Sequence, residues 1–366
     1  MKLVNLLHRW TGGLIGVLLA VLGLSGAILV HKDAWIRLPH ADDPQVQAVD
    51  HLAAVVTRLT ADPATRAESI LFSTADFGLH RVRLGDGAGA YVDQQGNVIT
   101  HWRSKWERPE LWLFDLHHHL FIGRPGTTMA GVLGLIGMGF VITGAILWWP
   151  LRNTFRLRPW PTRMSRPAIV RQHRDLGIAV APLLLLSFVT GTMLTLRPVA
   201  LLLLSPWTSP TEFEAGVARP AVKGGPMAEH PDWAGMLAEA HRRFPDAEFR
   251  SLALPRRPGD LISLRMKQPE EWLPNGRTTL WFDPADGQVV EARDALTLPT
   301  GLRIFNTAYP LHAAKVGGLP YRLLMTISGL SLAMLGSLAV WSFWFRRQRQ
   351  VAPSAPPAHS PVIRVR

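Results

Sequence analysis

The 366-residue chain is 48% apolar with a mean hydropathy of +0.12, and four long apolar runs carry that excess. Its formal charge of +12 gathers near the ends of those runs, which makes it an orientation signal and argues against a nucleic-acid partner. The absence of cysteine excludes covalently attached c-type haem, thiolate-held iron–sulfur clusters and disulfides, so any metal or haem must be held by histidine, methionine or carboxylates.

The first run, Gly12 to Val30, follows Lys2 and Arg9 in the manner of a secretory signal. Its match to an internal segment instead predicts a retained transmembrane helix over residues 1–30. Residues 31–116 read as a small α+β module: helical periodicity from Pro44 to Leu59, then alternating strands near 69–72, 79–84 and 90–92, then a Gln94-Gln95-Gly96-Asn97 turn into Val98-Ile99. The run Met129 to Trp149 predicts a second membrane helix over 117–150, and a basic loop occupies 151–172. The run Leu176 to Leu196 predicts a third helix over 173–197. A second module over 198–311 repeats the plan, with a helix from Pro231 to Phe244, strands near 248–254, 261–266 and 278–282, and a Pro284-Ala285-Asp286-Gly287 turn into Val289-Val290. Leu323 to Phe345 supplies the fourth helix, over 312–347, and the Pro-, Ala- and Ser-rich residues 348–366 read as a disordered cytoplasmic tail.

The N-terminus, the connection around 150–175 and the tail hold fourteen basic residues against one acid, Asp175. That imbalance predicts cytoplasmic termini, with both modules on the other side of the membrane. The fold class expected is a membrane α-helical protein with four transmembrane helices as two parallel repeats and two small outer α+β modules.

The repeat carries histidines at matched positions. His8 and His173 each open the pattern H-x3-G-x13-G, ending at Gly26 and Gly191. His117 precedes Gly123 and Trp149 by the same intervals at which His312 precedes Gly318 and Trp344. A single histidine at a helix end is ordinarily an interfacial residue, but the same residue in the same register of both halves predicts a task. The arrangement predicts two haems b, one held by His8 and His173 near the cytoplasmic face and one by His117 and His312 near the outer face. His118 and His119 are alternatives to His117, and His31 is a further candidate ligand or substrate contact; none of the three has an equivalent in the second half. Lys32 and Arg197 match each other just past the outer ends of the first and third helices, where they fit either haem propionates or simple snorkelling. The glycines of the first two helices fit either a macrocycle edge or close helix packing. With no dinucleotide or phosphate-binding fingerprint, electrons must come from a membrane quinol or a cytoplasmic reductase.

Several segments together resemble the PepSY-associated transmembrane helix family: Leu7-His8-Arg9-Trp10 with Leu24-Ser25-Gly26, Leu116-His117 with Leu120-Phe121-Ile122-Gly123, Thr143-Gly144 with Leu147-Trp148-Trp149-Pro150, His173-Arg174-Asp175-Leu176-Gly177 with Thr190-Gly191, and Pro310-Leu311-His312 with Gly318-Leu319-Pro320. The likeness covers nearly all of residues 1 to 347, and the outer modules look like PepSY domains. It implies a bacterial inner-membrane protein with periplasmic modules, similar to the haem-containing reductases that release iron from ferric siderophores, hydroxamates among them. The triple histidine at 117–119 departs from the single histidine usual in relatives. Two other readings fit the same residues: a haem-free binding or regulatory protein, and a haem conduit to a periplasmic redox protein.

Overall fold

The computed structural model describes residues 1–61 and 67–344. The chain begins with α1 (Lys2–Leu29), turns through the short α2 (Lys32–Trp35) and continues into α3 (Val49–Ala61). Strands β1 (Ser69–Leu71), β2 (His80–Arg83), β3 (Gly89–Val92) and β4 (Val98–Trp102) follow, and α4 (Pro109–His119) leads into α5 (Arg124–Trp148). The second half contains α6 (Arg166–Thr195), α7 (Arg197–Leu204), α8 (Pro210–Val217), α9 (Trp233–Arg243), strands β5 (Glu248–Ala253), β6 (Ile262–Lys267), β7 (Thr278–Phe282) and β8 (Val289–Arg293), then α10 (Thr300–His312) and α11 (Gly318–Trp344). Among the described residues four helices, α1, α5 with its extension to Thr154, α6 and α11, are long and apolar enough to cross a membrane. The tail predicted over 348–366 lies outside the described residues.

Three of the predicted membrane helices differ in a way that matters for the site. The second was expected to start at residue 117, but α4 ends at His119 and the membrane helix begins at Arg124. The break is written in the backbone: Leu120, Phe121 and Gly123 all have positive φ, which the right-handed helix cannot accommodate, and Pro125 then sits in the first turn of α5. The same event separates α10 from α11, where Gly317 and Gly318 have positive φ. The matched glycines 123 and 318 are therefore turn residues, and His117 and His312 belong to short helices that precede the membrane helices. The third helix starts seven residues earlier than expected, at Arg166, so His173 lies inside it.

Within the bundle α1 packs along α11 and α5 along α6, while smaller interfaces join α6 to α11 and α1 to α5. Backbones approach closely where glycines face each other. A Cβ on Gly16 would stand 2.7 Å from the Gly336 carbonyl oxygen, and one on Gly23 would stand 2.6 Å from that of Gly329. Gly134 and Gly137 similarly admit Thr192 and the Phe188 ring from α6. Among the described residues α1 and α6 share almost no direct packing, so the helices bearing His8 and His173 face each other diagonally.

The two predicted modules are joined into one eight-stranded antiparallel sheet, ordered β4-β3-β2-β1-β5-β6-β7-β8. Each four-stranded half would leave a bare edge at β1 or β5, and pairing Ile70 with Leu252 satisfies both. Helices α3 and α9 cover one face together, with Leu52, Val56, Trp233 and Leu237 packed on Ile70, Val92, Phe249, Leu264 and Phe282. Trp233 Nε1 also donates to Thr60 Oγ1 across the two helices at 3.2 Å. Burial of each such side chain contributes roughly 1.5–3 kcal/mol. The hairpin turns have matching chemistry: Asp93 accepts the amides of Gln95 and Asn97, Asp283 accepts that of Ala285, and Gly96 and Gly287 supply positive φ.

Candidate cofactor-binding site

The four matched histidines form two pairs, and in both the ring centroids are 6.1 Å apart: His8 with His173 and His117 with His312. Two imidazole nitrogens bound on opposite sides of one metal, each at about 2 Å, place their ring centres about 6 Å apart. At these separations the two imidazoles of each pair would be able to hold one metal between them.

The surroundings of the rings fix their tautomers. Ser25 Oγ donates to the Val21 carbonyl at 2.7 Å and lies 2.9 Å from His117 Nδ1. With its own proton committed, the hydroxyl accepts from Nδ1–H. Thr190 repeats this at His312, donating to the Leu186 carbonyl at 2.6 Å and lying 3.2 Å from Nδ1, which also reaches the Ser187 carbonyl at 3.1 Å. Thr143 does the same for His8, donating to the Gly139 carbonyl at 2.6 Å and standing 2.8 Å from Nδ1. His173 hydrogen-bonds the Leu335 carbonyl. The Nδ1 atoms of His8, His117 and His312 are thus engaged, with His117 also bonding the Leu22 carbonyl, which makes Nε2 the nitrogen that would bind a metal.

The glycines divide between packing and this site. A Cβ on Gly26 would lie 3.0 Å from the His117 ring, and one on Gly191 would lie 2.8 Å from the His312 ring. Gly12 and Gly177 stand one turn from His8 and His173 on the same helix face; Gly177 has open space around its Cβ position, and Gly12 touches only Phe140 at 4.0 Å. Gly13, Gly16, Gly131 and Gly137 instead serve helix packing, and Gly23 and Gly134 both pack against a neighbouring helix and line the cavity beside the outer pair.

A cavity borders the outer pair, with about 1380 Å³ of atom-free space in and around it, open solvent included. His117, His312, Gly26, Gly191, Leu184 and Phe188 line it, together with Lys32 and Lys315. No group of three or more His, Asp or Glu side chains suited to a bare metal ion occurs among the described residues. Paired imidazoles, an apolar cavity and two cations together fit a flat macrocycle that brings its own equatorial ligands and two carboxylates.

Among the remaining candidates, His118 lines the same cavity but stacks on Phe114 with centroids 4.5 Å apart. His119 turns to Asp115 at 3.0 Å, and His31 bonds Thr326 on α11 at 2.8 Å. Of the triple histidine, the structure thus pairs His117 with His312. The expected equivalence of Lys32 and Arg197 does not hold: Arg197 ion-pairs with Glu214 over the Phe213 ring, 5.3 Å away, and does not line the cavity. The second cation in the lining is Lys315, which binds Asp33 together with Lys32. Burial lowers Lys32 below the usual lysine range against the opposing pull of Asp33. Burial alone would raise Asp33, and the two lysines overcome it, holding its carboxyl below the usual range. Sequence reasoning missed Lys315 because the first half has Leu120 there, and missed the role of Ser25, Thr190 and Thr143 although each is a hydroxyl directly before a glycine.

A family model described as PepSY-associated TM region matches residues 6–347. An uncharacterized protein of Pseudomonas aeruginosa is 30% identical over 261 residues, 66% of this chain and 64% of that protein. The chain therefore spans a little under two thirds of that relative's length.

Proposed function

The chain belongs to the PepSY-associated TM region family, and from that premise we propose that it holds two haems b and passes electrons through a bacterial inner membrane to ferric siderophore. In this reading α1 through α5 and α6 through α11 are two parallel repeats, the termini are cytoplasmic and the sheet domain is periplasmic. The observation that carries it is the pair of equal 6.1 Å imidazole separations, with Nδ1 of His8, His117 and His312 engaged, which makes Nε2 the nitrogen that would bind a metal.

A bound haem supplies a one-electron Fe(III)/Fe(II) couple at each pair. The protein's part is to orient the rings, exclude water and neutralise carboxylates. Ser25, Thr190 and Thr143 hold the imidazoles in one tautomer, and Leu184 and Phe188 keep the outer cavity apolar. Lys32 and Lys315 supply positive charge in its lining. From His8 to Gly26, the residue beneath His117, there are eighteen residues, five turns at 3.6 residues each, so both pairs address one helix face about 27 Å apart.

The electron balance is simple. A quinol gives up two electrons and two protons and becomes a quinone, or a reduced cytoplasmic reductase gives up two electrons and is oxidised; each electron reduces one ferric chelate to the ferrous form. Ferrous iron carries less charge and is held more weakly by hydroxamate oxygens, so reduction releases the metal. Replacing His312 by alanine tests the assignment: the purified variant should retain one haem of two and lose ferric-chelate reduction. Full haem content and full activity in that variant would refute it.

A further inference from the structure

The two halves of the sheet differ in how their basic residues are balanced. Strand residues that point away from α3 and α9 line an open face, with Arg83 and Tyr91 in the first half and Arg265, Thr279 and Arg293 in the second. That face looks toward the bundle, because the Tyr91 hydroxyl donates to Glu110 on α4, the helix that carries His117. Gly89 and Thr279 stand at the same interval before the turn aspartates Asp93 and Asp283, so Arg83, opposite Gly89, is the counterpart of Arg265, opposite Thr279. Arg83 lies 3.9 Å from the Glu68 carboxylate. Arg265 has no such partner. Among the described residues neither its guanidinium nor that of Arg277, just before β7, makes a hydrogen bond or an ion pair, although both side chains are half-buried. Glu271 acts on both from a distance, but its oxygens accept the amides of Gln268 and Arg277 and the Thr278 hydroxyl. Burial, with Arg265 and Arg293 alongside, brings Arg277 down to about 10. Neighbouring half-buried cations without a counter-charge are costly, and an anion between them removes the cost.

The kind of anion follows from what lies beside the cluster. Helix α7 begins directly after Leu196, the residue that ends the membrane helix α6. It buries Ala200 and Leu204 with Phe213 and Leu302, and leaves Leu202, Leu203 and the following Trp207 exposed. At the end of a membrane helix, exposed leucines and a tryptophan meet the boundary between headgroups and acyl chains. The same segment is tied to the basic face. Arg197 at the start of α7 pairs with Glu214 on α8, and Arg293 Nη1 donates to the Gly216 and Ala218 carbonyls at the end of α8, at 3.1 and 2.8 Å. Arg293 and Arg265 are two strand spacings apart, about 10 Å. An acyl chain spans about 15 Å, half of the hydrocarbon core, so one lipid reaches from the cations to the apolar face of α7.

We infer that the open face of the second half-sheet and the α7–α8 segment form a binding site for an anionic phospholipid, with its phosphate between Arg265 and Arg277 and its acyl chains against Leu202, Leu203 and Trp207. A zwitterionic lipid is disfavoured because its headgroup cation would join an existing cluster of cations. The site requires no haem and fastens the sheet domain to the membrane surface.

The test titrates the full-length protein in detergent with phosphatidylglycerol, phosphatidylcholine and inorganic phosphate, lipids being counted by native mass spectrometry and phosphate binding read by calorimetry. Phosphatidylglycerol should bind at least about tenfold more tightly than phosphatidylcholine, the scale of a charge-assisted hydrogen bond. Arg265→Gln with Arg277→Gln should remove that preference, whereas Arg83→Gln, at the paired counterpart, should keep it. Leu202→Ser with Leu203→Ser should weaken both lipids. If the double arginine variant fails to fold, Arg265→Gln and Arg277→Gln are read singly by the same criterion. A native protein without the preference, or a preference that survives loss of the arginines, overturns the site. Inorganic phosphate binding as tightly as the lipid, with no effect of the leucine changes, overturns the lipid assignment in favour of a free anion.

Discussion

Each outer histidine is held by a hydroxyl and faced by a glycine, and both can be changed singly. Ser25→Ala removes the hydroxyl acceptor for Nδ1–H at His117, and Thr190→Val removes one of the two acceptors at His312, the Ser187 carbonyl being the other, without touching the Nε2 that would bind metal. Losses of such supporting partners typically cost about 10–100-fold in metal affinity or activity. Haem titration of the purified variants should therefore show a weakened outer site and an unaltered inner one. Gly191→Val acts by volume, since even a Cβ there stands 2.8 Å from the His312 ring, and it should displace the ring and abolish the outer site while Gly139→Ala, with nothing within 4 Å, leaves it intact. The residue pairs Ser25-Gly26, Thr190-Gly191 and Thr143-Gly144 were visible in the sequence as repeated dipeptides, but their meaning was not. A hydroxyl next to a glycine in a membrane helix reads equally well as packing, and only the arrival of an imidazole from another element distinguishes the two.

At the scale of elements, the membrane helices and all eight strands lay close to where hydropathy and alternation put them, because both patterns are local. The break between α4 and α5 was hidden, since Leu120, Phe121 and Ile122 continue the apolar pattern across a turn set by backbone sign. The joining of β1 to β5 was also hidden, because a pairing between segments some 180 residues apart leaves no mark in either. Strand β2 carries its own pH dependence. His80 is fully buried, accepts the Ser73 amide at 2.9 Å, and is lowered to about 4, chiefly by burial and further by His51. Above pH 6.5 it is neutral in folded and unfolded chains alike, and the fold has its full stability. As pH falls from about 6.5 to about 4 the unfolded chain takes up a proton that the folded one refuses, at a cost of roughly 3 kcal/mol, and below about 4 the loss levels off. Denaturant midpoints of the sheet domain, followed by tryptophan fluorescence from pH 7.5 to 3.5, should show that slope, and His80→Leu should flatten it.

For the whole molecule, the sheet makes one body of what the sequence presents as two modules. Phe249→Ala, in the shared core, should cost about 3–5 kcal/mol and melt both half-sheets in a single transition. Independent transitions for the two halves would contradict the continuous sheet. The chain leaves that single body through α4 and α10, which follow β4 and β8 and deliver His117 and His312. The most direct test of the account is the optical spectrum of the purified protein, oxidised and dithionite-reduced, with haem stoichiometry by pyridine haemochrome. Two low-spin haems b per chain are predicted; a protein made with ample haem that shows no Soret band would contradict the paired-histidine centres and the function built on them.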